Sequence, residues 1–292
     1  MKISTQRICT DDGLELFGLL YEPDAKSAKI LVHVHGMAGN FYENPFLDFI
    51  AKTLTDQGIA FFTFNNRGCE SFKDLTQKVG GKKKFVRIGN AYEKFEESVL
   101  DIKATIDAVS TLGFSEIHLS GHSLGSPKVV YYVSETKDPR INSVLLLSPS
   151  DMLGLVRADR ERFERDIQEA TTMSQNGKGG DLISLKVWDE CPVSADTYIS
   201  LFGDNSKAGI FNFYNSSDRL EVLGKITQPL FAVMGRKDDA LTVSIEETME
   251  RITKATKNSP HVETQILGDA NHGYFGDEQG LADAILGWLC RK

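Results

Sequence analysis

Apolar positions recur along this chain in two alternating rhythms. Residues 2–10 and 14–21 alternate polar with apolar and are separated by Asp11-Asp12-Gly13, which predicts two strands joined by a hairpin turn. Residues 29–35 form an apolar run ending in Gly36, as a strand buried on both faces does. Residues 43–57 place Phe46, Phe49 and Ile50 on one helical face, and Gly58 stops that helix. An aromatic strand follows at 59–65. The clearest helix covers 95–112, where Phe95, Val99, Ile102, Ile106 and Val109 recur at spacings of three and four before Gly113. A strand at 117–120, a helix at 126–133 and a strand at 142–147 continue the alternation. Strand and helix by turns predict a parallel sheet covered on both faces.

The rhythm breaks at about Ser148 and resumes at about Ile226. In between, 157–169 is a charged amphipathic stretch, 176–180 a glycine-rich turn, and 197–202 and 217–223 read as short helices. Such a segment is too long for an ordinary loop. It is expected to be an inserted cap over residues 149–226, with a core formed by 1–148 and 227–292. Open α/β sheets take ligands at the C-terminal ends of their strands, where a cap would sit. The core closes with a strand at 229–234, a helix at 244–256, a strand at 262–267 and a helix at 279–289. No internal repeat interrupts it.

Composition narrows the possible partners. The net charge of −8 argues against a nucleic-acid binder, which needs clustered cations to displace counterions. No apolar run approaches the roughly 18 residues of a membrane span, so no membrane partner is expected. The opening residues alternate polar and apolar, unlike a signal peptide. Cys9, Cys69, Cys191 and Cys290 share no metal-like spacing and read as reduced thiols of a cytoplasmic protein.

The strongest chemical signal is Gly121-His122-Ser123-Leu124-Gly125, set between a strand and a helix. In this context Gly-x-Ser-x-Gly forms a sharp turn that exposes the serine oxygen, and the two glycines remove side chains that would collide there. A serine hydroxyl needs a base to become a nucleophile. His272 is the candidate base and Asp238, just after the 229–234 strand, the candidate acid that orients it. Asp239, Asp151 and Asp269 are the rival acids. An oxyanion would be held by the backbone N–H of Leu124 and by that of Met37, in the loop His35-Gly36-Met37-Ala38-Gly39-Asn40. His33 and His35 lack a third ligand, so no metal and no cofactor is expected. Lys78, Lys82, Lys83, Lys84 and Arg87 read as a solvated basic loop, or else as a rim that attracts anionic substrates. Arg67 and Glu93 are expected to pair beneath the cap.

His35-Gly36, Gly121 to Gly125, Asp238 and His272, in that order, resemble the α/β-hydrolase superfamily across essentially the whole chain. Asn65-Asn66-Arg67-Gly68, Ala91-Tyr92-Glu93-Lys94-Phe95, Asp101-Ile102, Pro192-Val193-Ser194-Ala195 and Tyr198-Ile199-Ser200-Leu201 are further similar to a subgroup of unknown-function domains that includes fungal siderophore-esterase-like proteins. The resemblance implies an α/β-hydrolase fold, a mostly parallel sheet with helices on both faces and an inserted cap. It is compatible with hydrolysis of an ester in a chelator-like or peptide-like substrate. The expected function is a serine hydrolase that cleaves a small-molecule carboxylic ester through an acyl-enzyme. A thioesterase, an amide or peptide hydrolase, or a hydrolase-fold receptor with slow turnover would use the same residues. Phe202, Phe211, Phe213, Tyr214 and Trp188 are expected to form mainly the cap's own core.

Overall fold

The computed structural model describes residues 1–188, 190–218 and 220–291. The first half of the chain forms β1 (Lys2–Cys9), β2 (Glu15–Glu22), β3 (Lys29–Val34), α1 (Phe46–Asp56), β4 (Ala60–Phe64), β5 (Lys73–Val79) and β6 (Lys82–Ile88). It continues with α2 (Ser98–Thr111), β7 (Glu116–His122), α3 (Gly125–Thr136) and β8 (Ile141–Leu147). Next come α4 (Met152–Arg157), α5 (Arg160–Gln175), β9 (Leu182–Val187), β10 (Cys191–Ser194) and α6 (Ala195–Phe202). The chain closes with β11 (Leu230–Lys237), α7 (Ile245–Ala255), β12 (Val262–Asn271) and α8 (Glu278–Leu289).

Eight strands join in the order β1-β2-β4-β3-β7-β8-β11-β12. The pairs β1/β2 and β2/β4 are antiparallel and every later pair is parallel. The C-terminal ends of β3, β4, β7, β8, β11 and β12 therefore lie along one edge, together with the β1–β2 turn. Alternation within the strands feeds two apolar layers. Ile30, Val32 and Val34 face Ile102, Ile106, Val129 and Val133 of α2 and α3. Leu31, Phe61, Leu145 and Phe231 face Phe46 and Ile50 of α1 and Ile285 and Trp288 of α8. The sheet is mostly parallel and covered on both faces, as the alternating pattern predicted, and this is the α/β-hydrolase arrangement that the resemblance implied.

The segment between β8 and β11 holds α4, α5, the β9–β10 hairpin and α6. It is fastened to the core. Ser194 N–H and the Thr197 hydroxyl both donate to the Ala91 carbonyl, at 2.8 and 3.0 Å, and Phe95 N–H donates to Ser200 Oγ at 2.9 Å. Val193, Tyr198, Phe202, Phe211 and Phe213 belong to the same apolar cluster as the α2–α3 layer. Trp188 and Tyr214 are instead exposed and take no part in that core.

Three local expectations are corrected. The 157–169 stretch splits, because Asp159 caps α5 by accepting from Arg162 N–H at 3.1 Å. Of the expected 217–223 helix, Arg219 lies outside the described residues. The others form turns and a short 3₁₀ turn at Leu223–Lys225. There the Asn215 and Asp218 side chains accept from Ser217 N–H and Leu220 N–H, bonds that compete with a helix. Residues 78–87 form a β-hairpin and not a loop. Gly80 and Gly81, with φ of +57° and +78°, supply its two-residue turn. The lysine run masked an alternation in which Leu75, Val86 and Ile88 turn inward.

Candidate active site

The end of β7 and the start of α3 are joined through Ser123, whose φ of +53° lies in the left-handed region. Both flanking glycines are sterically required. A Cβ on Gly121 would lie 2.2 Å from the Gly125 carbonyl oxygen, and one on Gly125 would lie 2.2 Å from that of Val34. Ser123 N–H donates to the Leu147 carbonyl at 3.0 Å, and the Ser126 hydroxyl closes the turn onto the Gly121 carbonyl at 2.6 Å. The turn presents Ser123 at the C-terminal edge of the sheet.

β11 and β12 deliver Asp238 and His272 to the same edge. His272 Nδ1 donates to Asp238 Oδ1 at 2.9 Å. The carboxylate is fully buried, whereas the imidazole keeps 26% of its side-chain surface exposed. Asp238 Oδ1 also accepts from Ala240 N–H at 3.0 Å. Burial alone would raise the Asp238 pKa, but the His272 ring, aided by the Ser148 hydroxyl, holds it below the usual carboxylate range. Oδ2 has no hydrogen bond among the described residues. The rival acids are occupied elsewhere or face solvent. Asp151 caps α4 through Gly154 N–H and accepts from Tyr214 N–H and Thr242. Asp269 pairs with Lys237, and Asp239 is exposed.

His122, the variable residue of the turn, braces His272 from the other side. Its Nε2 lies 2.8 Å from the His272 carbonyl oxygen, which can only accept, so Nε2 carries the proton. Burial, with His272 close by, pushes the His122 pKa down to about 3 and keeps the ring neutral. Asp238 thus holds the His272 ring while His122 holds its backbone.

The loop after β3 packs against Ser123 closely enough that a Cβ on Gly36 would lie 2.9 Å from the serine Cβ. Neither Met37 N–H nor Leu124 N–H makes a hydrogen bond among the described residues. Residues 65–70 stiffen this loop from behind. Phe41 N–H donates to Asn65 Oδ1 at 3.0 Å, Asn66 N–H to His35 Nε2 at 3.1 Å, and Glu70 N–H to the Gly39 carbonyl at 3.2 Å. His35 donates from Nδ1 to the Gly36 carbonyl at 2.8 Å. Burial, reinforced by the Lys128 charge, lowers its pKa to about 3, so it is a neutral strut. His33, the other member of the rejected metal pair, lies 3.0 Å from Ser120 Oγ.

The expected Arg67–Glu93 pair is not formed. Arg67 clamps Asp101, with Nη2 donating to Oδ1 at 2.9 Å, and donates from Nη1 to Glu97 at 2.6 Å. Glu93 pairs with Lys128 at 2.6 Å, and both side chains are almost wholly buried. Residue type alone could not separate two nearby cations competing for the buried acids.

A family model described as a protein of unknown function, DUF1749, matches residues 14–292. The chain belongs to the DUF1749 family. The matched span contains Met37, Ser123, Leu124, Asp238 and His272. No curated protein matches this DUF1749 chain. Several solved structures share its fold. Est1E from Butyrivibrio proteoclasticus, solved with ferulic acid, is 18% identical over 97% of both chains, with a TM-score of 0.67. The Pyrococcus furiosus esterase Pf2001 is 20% identical over 99% of this chain and 90% of its own, with a TM-score of 0.61. The siderophore hydrolase EstB from Aspergillus fumigatus is 18% identical over 94% of both, with a TM-score of 0.66.

One residue of the DUF1749 site had no signal in the sequence. Ser123 Oγ is hydrogen-bonded to Ser150 Oγ at 3.1 Å and makes no hydrogen bond to His272. Ser150 is 2% exposed, and Ser123 is its only hydroxyl partner among the described residues. A buried hydroxyl seldom leaves its proton unpaired. Either hydroxyl can be the donor of this bond; with Ser150 as the donor, which its burial favours, the Ser123 proton stays available for a base. The other unforeseen members, His122 and Lys128, were visible as polar residues in apolar elements, but their partners were not.

Proposed function

We propose that this protein is a serine hydrolase that cleaves small-molecule carboxylic esters through an acyl-enzyme. The observation that carries the reading is a strained, glycine-flanked serine on the same sheet edge as a histidine held by a buried carboxylate. Ser123 Oγ attacks the ester carbonyl as His272 Nε2 takes its proton. Asp238 holds Nδ1–H and stabilises the imidazolium. The oxyanion accepts from Met37 and Leu124 N–H. His272 then protonates the departing alcohol and activates the water that releases the acid. No metal or cofactor takes part in this sequence.

The fold shared with two esterases and a siderophore hydrolase supports this chemistry, and those partners suggest that small organic esters are the substrate class. Residues 149–226 act as the cap that shapes the pocket, over a core of 1–148 and 227–292. Among the described residues no helix is long and apolar enough to cross a membrane, and all four cysteines are unpaired. A reducing, cytoplasmic setting fits those thiols.

The test is labelling with a fluorescent fluorophosphonate, mass-spectrometric mapping of the adduct, and a panel of esters with varied acyl groups. The adduct is expected on Ser123, with turnover of at least one ester. Folded protein that neither labels nor turns over any ester would overturn the reading.

Ser150 gives a finer check. Its hydroxyl donates to the atom that gains negative character as the proton leaves. Hydrogen bonds to charged oxygen are worth about 1.5–3 kcal/mol. Ser150→Ala should lower kcat by about tenfold to a hundredfold with KM nearly unchanged. An unchanged or raised kcat would show that Ser150 only competes with His272.

A further inference from the structure

The β5–β6 hairpin is built unlike the rest of the surface. Its inward residues Leu75, Val86 and Ile88 pack on the core, and its β-turn end is tied down where Lys78 N–H donates to the Gly13 carbonyl at 2.8 Å. It is therefore an ordered ribbon. Between residues 73 and 88 it carries six cations and one carboxylate, in a chain whose net charge is −8. Lys73, Lys78 and Arg87 are paired with Glu70, Glu15 and Asp74. The side chains of Lys82, Lys83 and Lys84 make no hydrogen bond or ion pair among the described residues. Beside them Phe85 is 83% exposed, and Val79 is exposed next to the Gly80-Gly81 turn.

We propose that this hairpin docks the protein peripherally on an anionic lipid bilayer. Phe85 enters the headgroup boundary and Lys82, Lys83 and Lys84 pair with lipid phosphates. A narrow ribbon that carries one exposed aromatic ring among unpaired ammonium groups suits a bilayer interface. There the ring finds apolar cover without a shaped pocket, and each flexible stem lets its charge reach the headgroups. Charge complementarity fixes the orientation, since the remainder of the chain is strongly acidic and is repelled from the same surface. The hairpin rises at the sheet edge that carries Ser123, and residues at its base touch the loop behind Met37 through the Glu70 N–H to Gly39 carbonyl bond. Docking thus turns the Ser123 edge toward the bilayer. A peripheral contact of this kind needs no membrane-spanning helix.

The test is co-sedimentation of the full chain with phosphatidylcholine vesicles containing about a third phosphatidylserine, beside pure phosphatidylcholine vesicles. Binding is expected only to the anionic vesicles, and it should vanish near 1 M salt, where screening acts within about 3 Å. One lysine at such a surface is worth about fivefold in partition, so the triple variant Lys82→Ser, Lys83→Ser, Lys84→Ser should bind about a hundredfold more weakly. Phe85→Ser should weaken binding while keeping its salt dependence. Unchanged unfolding temperature shows that each variant is folded. Three results would each overturn the proposal: no binding of the wild type to anionic vesicles, equal binding to neutral ones, or a triple variant that binds like the wild type. Capture by polyglutamate without vesicle binding would also overturn it, and would assign the hairpin to an acidic protein. Sedimentation reads docking alone, so the outcome stands whether or not the protein hydrolyses esters.

Discussion

Replacing Ser123 with alanine should lower ester turnover by about 10⁴- to 10⁶-fold, the range over which a nucleophile's removal silences a serine hydrolase. The loss belongs in kcat. Substrate would still reach the Met37 and Leu124 N–H groups, so KM should change little. Stability should barely move, because the side chain makes one hydrogen bond, to Ser150, while the φ of +53° is imposed by the turn and persists in alanine. Ser150 adds a control. Its oxygen sits 3.1 Å from that of Ser123, near enough to accept a reactive phosphonate once Ser123 is gone. Labelling that moves to Ser150 with turnover largely kept would reassign the nucleophile. More than a few per cent of wild-type kcat with no label anywhere would remove the covalent mechanism altogether.

What the sequence could show depended on how local the governing physics was. The Gly-x-Ser-x-Gly turn is readable because its constraint is steric and acts within five residues. The Cβ positions forbidden at Gly121 and Gly125 make the point directly. The alternating strands and helices are readable because burial on two faces imposes a periodicity, and that sufficed for a parallel sheet covered on both faces; the α/β-hydrolase fold was implied by the resemblance of the motif residues. Placing Asp238 and His272 after successive strands followed from the same topology, and the structure sets them 2.9 Å apart. Other features depend on pairings that no local pattern encodes. Arg67 lies near several acids, and only the packed structure selects Asp101 and Glu97 over Glu93. Ser150 is an ordinary serine until β8 brings it beside Ser123. In the 217–223 stretch the side chains of Asn215 and Asp218 outcompete a helix, and in the β5–β6 hairpin a lysine run hides the inward alternation.

The second large effect concerns Lys128 and is structural. The residue lies on α3, five positions after Ser123, with its ammonium buried and hydrogen-bonded to Glu93 at 2.6 Å and to Asn66 Oδ1 at 3.3 Å. Asn66 in turn donates from its backbone to His35, so the ion pair links the helix that follows Ser123 to the loop that carries Met37. Removing one member leaves a charge in a site that water does not reach. Such breakage typically costs about 3–5 kcal/mol. Lys128→Met should therefore lower the unfolding temperature by roughly 10 °C, taking about 2–4 °C per kcal/mol for chains of comparable size. Glu93→Gln should cost a similar amount, because it strands the ammonium. The double variant should recover most of the loss, since replacing both partners removes the desolvation penalty together with the attraction. The Glu93 carboxylate also packs on Gly68, where a Cβ would lie 2.2 Å from Oε2, so a glutamine of the same shape is the right partner for methionine in this cycle. Additive losses in the double variant would show that Lys128 and Glu93 act separately, and the link between α3 and the Met37 loop would have to run through Ser123 and Gly36 alone.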